Sequence, residues 1–125
     1  MNASFDPSFK SPPLARDFTS RSPGVDIAIL RKHSDGGVTF LVRMRNGARS
    51  ERHDHPGGEE TYLLGGQLRV DRRVDASRRP LPDVVLSPGD YLYVPAGEVH
   101  EGIAEGEGTT LLVIAPGGVV VNSRP

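Results

Sequence analysis

Glycine and proline set the tightest limit on what this chain can become. Its 125 residues contain 15 Gly and 11 Pro, about a fifth of the chain against the roughly 12% these two residues usually contribute. Proline removes a backbone donor and glycine raises the entropy cost of any regular element, so the composition argues for many turns and few long helices. The intervals between the turns read as strands. Segments 25–31 and 38–45 flank Ser34-Asp35-Gly36-Gly37 as a hairpin. Val38, Phe40, Val42 and Met44 share one face of its second arm, and Thr39, Leu41, Arg43 and Arg45 share the other. Further runs at 60–64, 67–74, 84–86, 91–94, 99–103, 110–115 and 119–121 predict an all-β sandwich or barrel.

The absence of cysteine removes disulfides, thiolate metal sites and cysteine nucleophiles, and leaves His, Asp and Glu as metal ligands. A formal charge of −1 argues against a globally basic nucleic-acid binder. No stretch approaches the ~18 apolar residues of a membrane span, and the start of the chain lacks a secretory pattern, so the expectation is a cytoplasmic protein without membrane contact. Residues 1–23 form a Pro/Ser-rich leader that cannot sustain a helix, ahead of a barrel at 24–121 and a tail at 122–125. Three of the four phenylalanines, Phe5, Phe9 and Phe18, lie in this leader, which predicts that it packs on its own barrel or on a partner subunit. Arg69, Arg72, Arg73, Arg78 and Arg79, interspersed with Asp71 and Asp75, read as a solvated hairpin.

Four histidines need roles. His53 and His55 stand two apart, so in an extended segment both imidazoles leave one face and can converge on one cation. Pro56-Gly57-Gly58 then bends the chain, and Glu59 begins the next run with a carboxylate able to swing back. His100 follows a second turn, Pro95-Ala96-Gly97, and offers a fourth ligand. Nitrogen and carboxylate donors in this number suit a borderline divalent ion. His33 precedes a hairpin turn and is expected to be exposed.

At these residues the chain resembles the cupin superfamily. Gly47, His53, His55, Glu59 and Gly66 match the spacing of the first cupin motif, and Gly89, Pro95, Gly97 and His100 that of the second, with Ala104 where the family has Asn. The resemblance covers roughly residues 25–121 and implies a single small jelly-roll barrel of two packed antiparallel sheets. It implies one divalent metal (Zn, Mn, Fe or Ni) held by His53, His55, Glu59 and His100, with Glu60 facing outward. The string His-x-His-Pro-Gly-Gly-Glu-Glu is most similar to the cupin halves of zinc-binding anti-sigma factors and their stand-alone relatives. Those factors carry a helical sigma-binding domain before the cupin, which residues 1–23 cannot form, so the resemblance transfers the site and not the regulatory activity.

The expected function is an enzyme, dioxygenase-, decarboxylase- or isomerase-like, acting on a small organic molecule coordinated to the metal. The rival is a non-catalytic zinc module that binds a small ligand or senses oxidation. Tyr91, Tyr93, Gln67 and Thr61 are candidates for the pocket wall. Arg43 and Arg45 either line the barrel, where they could bind a carboxylate, or stand on the solvent face opposite Val42 and Met44. A homodimer formed through sheet edges is the expected assembly.

Overall fold

The computed structural model describes residues 7–10 and 17–121. Twelve strands run in chain order: β1 (Thr19–Ser22), β2 (Val25–Lys32), β3 (Val38–Met44), β4 (His53–Asp54), β5 (Glu59–Gly65), β6 (Leu68–Val74), β7 (Pro80–Leu81), β8 (Val84–Leu86), β9 (Tyr91–Val94), β10 (Val99–Ala104), β11 (Thr109–Ala115) and β12 (Val120–Val121). They form two antiparallel sheets in a jelly-roll arrangement. One has the order β1-β2-β3-β11-β5-β9; the other runs β12-β4-β10-β6-β7, with β8 also paired to β6. β11 inserts between β3 and β5, so strands distant in sequence close the first sheet.

Alternation builds the core. Along β5 the inward residues Glu59, Thr61 and Leu63 are buried and Tyr62 and Leu64 are exposed; along β11 Thr109, Leu111, Val113 and Ala115 point in. Val42, Met44, Leu63, Leu68, Val70, Leu111 and Val113 meet between the sheets. Glycines at four motif positions, Gly47, Gly66, Gly89 and Gly97, all adopt positive φ. At Gly66 the backbone is at +75° and a Cβ would run into Thr109, so β5 can turn into β6 at that point only with glycine.

Three short strands escape the sequence pattern. β4 and β7 have two residues each, too few for any periodicity to register. β1 lies inside the leader segment and pairs with β2. Phe18, just before it, sits under the Arg43 guanidinium, 4.0 Å from the ring centre. Phe9 is 59% exposed; Phe5 and residues 122–125 lie outside the described residues.

Candidate metal centre

The site forms where strand pairing brings the two motif segments together. His53 on β4 is the cross-strand partner of His100 on β10, and their rings lie 4.6 Å apart. His55 follows in the turn after β4, 4.9 Å from His53. Glu59 opens β5 on the opposite sheet and closes the set. One donor atom from each of His53, His55, Glu59 and His100 lies within 4.8 Å of all the others. His55, Glu59 and His100 are only 2%, 6% and 4% exposed.

Neighbouring groups set how each ligand is presented. The His53 ring is 2.7 Å from the Glu51 carbonyl through Nδ1. A carbonyl only accepts, so Nδ1 carries the proton and Nε2 is left with a lone pair. Thr61 donates to Glu59 Oε2 at 2.7 Å, and Glu59 Oε1 faces the imidazoles, 2.9 Å from both His55 Nε2 and His100 Nε2. The His55 contact is short but poorly aligned, and neither nitrogen of this buried ring makes a hydrogen bond. Leaving such a group unpaired costs about 1–3 kcal/mol. A cation among the four donors would offset that cost, so the residues present fit a bound metal.

Electrostatics separate the ligands. Burial, reinforced by the neighbouring His100, holds His53 down at about 4. Burial also opposes the charged forms of Glu59 and His100, but their mutual hydrogen bond wins. With His55, it keeps Glu59 far below the usual carboxylate range; with Glu98, it raises His100 to about 9.

Behind His100 lies an arrangement that sequence periodicity does not reveal. Glu98 Oε2 accepts from His100 Nδ1 at 3.1 Å, and Arg73 grips Glu98 with two bonds, Nε to Oε2 and Nη2 to Oε1, both 3.0 Å. Burial opposes the Glu98 carboxylate, yet His100 and Arg73 hold its pKa below the ordinary value. Side-chain exposures of 13% for Arg73 and 3% for Glu98 mean that this arginine is not part of a solvated hairpin. A β-bulge turns it inward: β10 spends one residue, His100, where β6 spends two, and Arg72 takes φ +51°. The Glu98-x-His100 spacing is the one sequence signal that points to it.

The ligands face a cavity of about 530 Å³ that lies between the two sheets and opens to solvent. Thr61 lines it. The other pocket candidates do not. Tyr91 and Tyr93 are 55% and 59% exposed because Leu92 and Val94 take the inward positions of β9, and Tyr91 spends its hydroxyl on Glu60. Arg43 stands outward beside Asp26 at 3.3 Å and Arg45 is exposed, as strand alternation opposite Val42 and Met44 requires. Gln67 lies past the Gly66 turn, its backbone bonded to Thr109 and Glu105. His33 is not exposed: its side chain is 11% accessible, bonds Thr39 at 2.7 Å and lines the cavity. The hairpin folds back over the ring, which periodicity cannot reveal.

The family model described as the ChrR cupin-like domain matches residues 13–119. The chain belongs to the ChrR cupin-like family. This ChrR cupin-like chain is similar in structure to an RmlC-like cupin from Shewanella frigidimarina, with 19% identity, 88% of this chain and 92% of that chain covered, and a TM-score of 0.71. Oxalate decarboxylase from Bacillus subtilis is 25% identical with a TM-score of 0.71, covering 86% of this chain and 30% of that one. A curated relative, the bifunctional lysine-specific demethylase and histidyl-hydroxylase NO66 of Drosophila yakuba, is 29% identical over 75 residues, 60% of this chain. The cupin spans 11% of that protein's length. Among the described residues no helix is long and apolar enough to cross a membrane.

Proposed function

We propose that this cupin binds one divalent metal ion through His53, His55, Glu59 and His100 and acts as an enzyme on a small organic molecule held at that ion. The carrying observation is the convergence of four donors, three of them buried and His53 half-buried, with both His55 nitrogens unbonded, on the wall of a cavity large enough for a substrate. The ion, when bound, would supply Lewis acidity or, if redox-active, electron transfer. The protein's own groups do the rest. Glu51 holds His53 in one tautomer, Thr61 orients the Glu59 carboxylate, and Glu98 with Arg73 orients His100. Decarboxylation, demethylation and hydroxylation, the chemistries in the names of oxalate decarboxylase and the NO66 demethylase and hydroxylase, support a decarboxylase- or dioxygenase-like reaction, with isomerisation as the third member of the class.

Elemental analysis of untagged protein tests the metal assignment: about one ion per chain is expected, and almost none in His53→Ala/His55→Ala. Equal metal in both would overturn it. The second reading is a sensory zinc module, favoured by the fact that four protein donors can already close a tetrahedral zinc shell. Tightly held zinc without exchangeable water, and no turnover across a broad substrate screen, would select it. Assembly as a homodimer is part of the proposal. It is supported by the edge position of β9, with Tyr91 and Tyr93 exposed on its outer face, and light scattering on the purified protein tests it.

A further inference from the structure

The cavity wall carries information about the molecule it accommodates. Six of its side chains, Ile27, Phe40, Val42, Met44, Leu111 and Val113, come from the inward faces of β2, β3 and β11 and are wholly apolar. The wall contains three hydroxyl-bearing residues, Ser22, Ser50 and Thr61. Thr61 spends its proton on Glu59, Ser50 accepts from the Gly102 amide and keeps its own proton to donate, and the Ser22 hydroxyl oxygen is buried without a partner. The ionisable groups outside the metal set are also engaged or peripheral. Arg21 lies 3.8 Å from Glu51, Glu101 is bonded to Arg49 and Arg72, His33 bonds Thr39, and Lys32 is exposed at the end of β2.

We infer that the ligand of this site has a compact metal-chelating head and an apolar alkyl or aryl body, and is neither a sugar nor a small diacid. The inference rests on the proposed binding of a molecule at the ion. A polyol body would bring several hydroxyls into a wall with few free polar groups, and each unpaired buried group weakens binding by roughly 5- to 150-fold. A diacid such as oxalate would fill only a fraction of a cavity with room for on the order of 15 non-hydrogen atoms, taking ~30 Å³ for each. An apolar body instead gains from every methylene it buries, by about fourfold in affinity.

Hydroxamates provide the test, because one chelating head can carry different bodies. The 125-residue protein loaded with Co²⁺ is titrated with acetohydroxamate, octanohydroxamate, benzohydroxamate and gluconohydroxamate, reading the visible absorption of the ion, with cobalt retention checked by gel filtration. The expected result is that octanohydroxamate binds at least ~50-fold more tightly than acetohydroxamate, with benzohydroxamate between them and gluconohydroxamate no better than acetohydroxamate. In Val42→Phe, which fills the cavity from β3, the octanohydroxamate advantage disappears and acetohydroxamate binding stays within about threefold of wild type, since the change is remote from the head. A flat series, or preference for the polyol body, overturns the apolar-body inference and leaves the metal-site function standing. No spectral response to any of the four probes overturns both. The wild-type series decides the matter even if Val42→Phe fails to fold.

Discussion

Replacing Arg73 by methionine removes one half of a buried ion pair and leaves the other in place. Glu98 is 3% exposed at its side chain, receives two 3.0 Å bonds from Arg73, and would retain only the 3.1 Å bond from His100. Breaking such a pair from one side costs about 3–5 kcal/mol, because the surviving charge stays desolvated. Methionine recovers part of the lost packing, so about 3 kcal/mol is expected for the metal-free protein. In a domain of this size each kcal/mol lowers the melting temperature by roughly 3–6 °C, giving a drop of about 10–15 °C. Glu98→Gln alone strands the arginine, whose remaining bond is to the Pro82 carbonyl at 2.8 Å, and should cost a comparable amount. The double variant Arg73→Met/Glu98→Gln removes both charges while glutamine still accepts from His100, and should recover at least half of the larger single loss. Urea unfolding followed by circular dichroism, with a chelator present, gives all four corners of the cycle. Two results would refute the reasoning: an Arg73→Met loss below about 1 kcal/mol, or a double variant as unstable as the sum of the singles. Metal affinity supplies an independent reading, with Glu98→Gln weakening it by about 10- to 100-fold through the altered hold on His100.

Three further outcomes follow from the same geometry. Stability of the metal-free protein should peak near pH 6.5, the ordinary histidine value. His53, held at about 4, refuses a proton that the unfolded chain accepts, so stability falls as pH drops from 6.5 towards 4. His100, raised to about 9, binds its proton more tightly when folded, so its contribution is complete below 6.5 and is lost as pH rises through about 9. Thermal melts from pH 4 to 10 check this, and His100→Gln should flatten the alkaline limb. Thr61→Val, which removes the bond to Glu59 Oε2, should lower metal affinity about 10-fold, measured by competition with a chromophoric chelator. Gly66→Ala should destabilise the fold by about 2–4 kcal/mol in urea unfolding, since the +75° backbone and the approach of Thr109 both reject a Cβ.

Local chemistry makes much of the protein legible from the order of its residues. Alternation along the longer strands identifies which of Val38–Met44 face inward, because a strand's period of two is a property of the backbone itself. The same local order puts His53 and His55 on one face, and it is the match to the two cupin motifs that adds Glu59 and His100 to them. Two-residue strands such as β4 leave no such mark, although β4 is what pairs His53 with His100. Tyr91 and Tyr93 belong to a strand whose inward face cannot be told from its outward one without its pairing to β5, and that pairing turns both tyrosines away from the cavity. Arg73 looks solvated in the sequence because a bulge inverts the alternation that would otherwise turn it outward.

By itself the sequence pointed to short strands joined by turns, and determined which donor atoms were available for a metal. Both follow from backbone sterics and side-chain chemistry acting within a few residues. The tertiary structure alone decided what those donors face and what holds them. Glu98 and Arg73 meet across 25 residues, and Glu59 reaches His100 from the opposite sheet. Such contacts depend on register, a single bulge and the closure of two sheets, which no local pattern encodes.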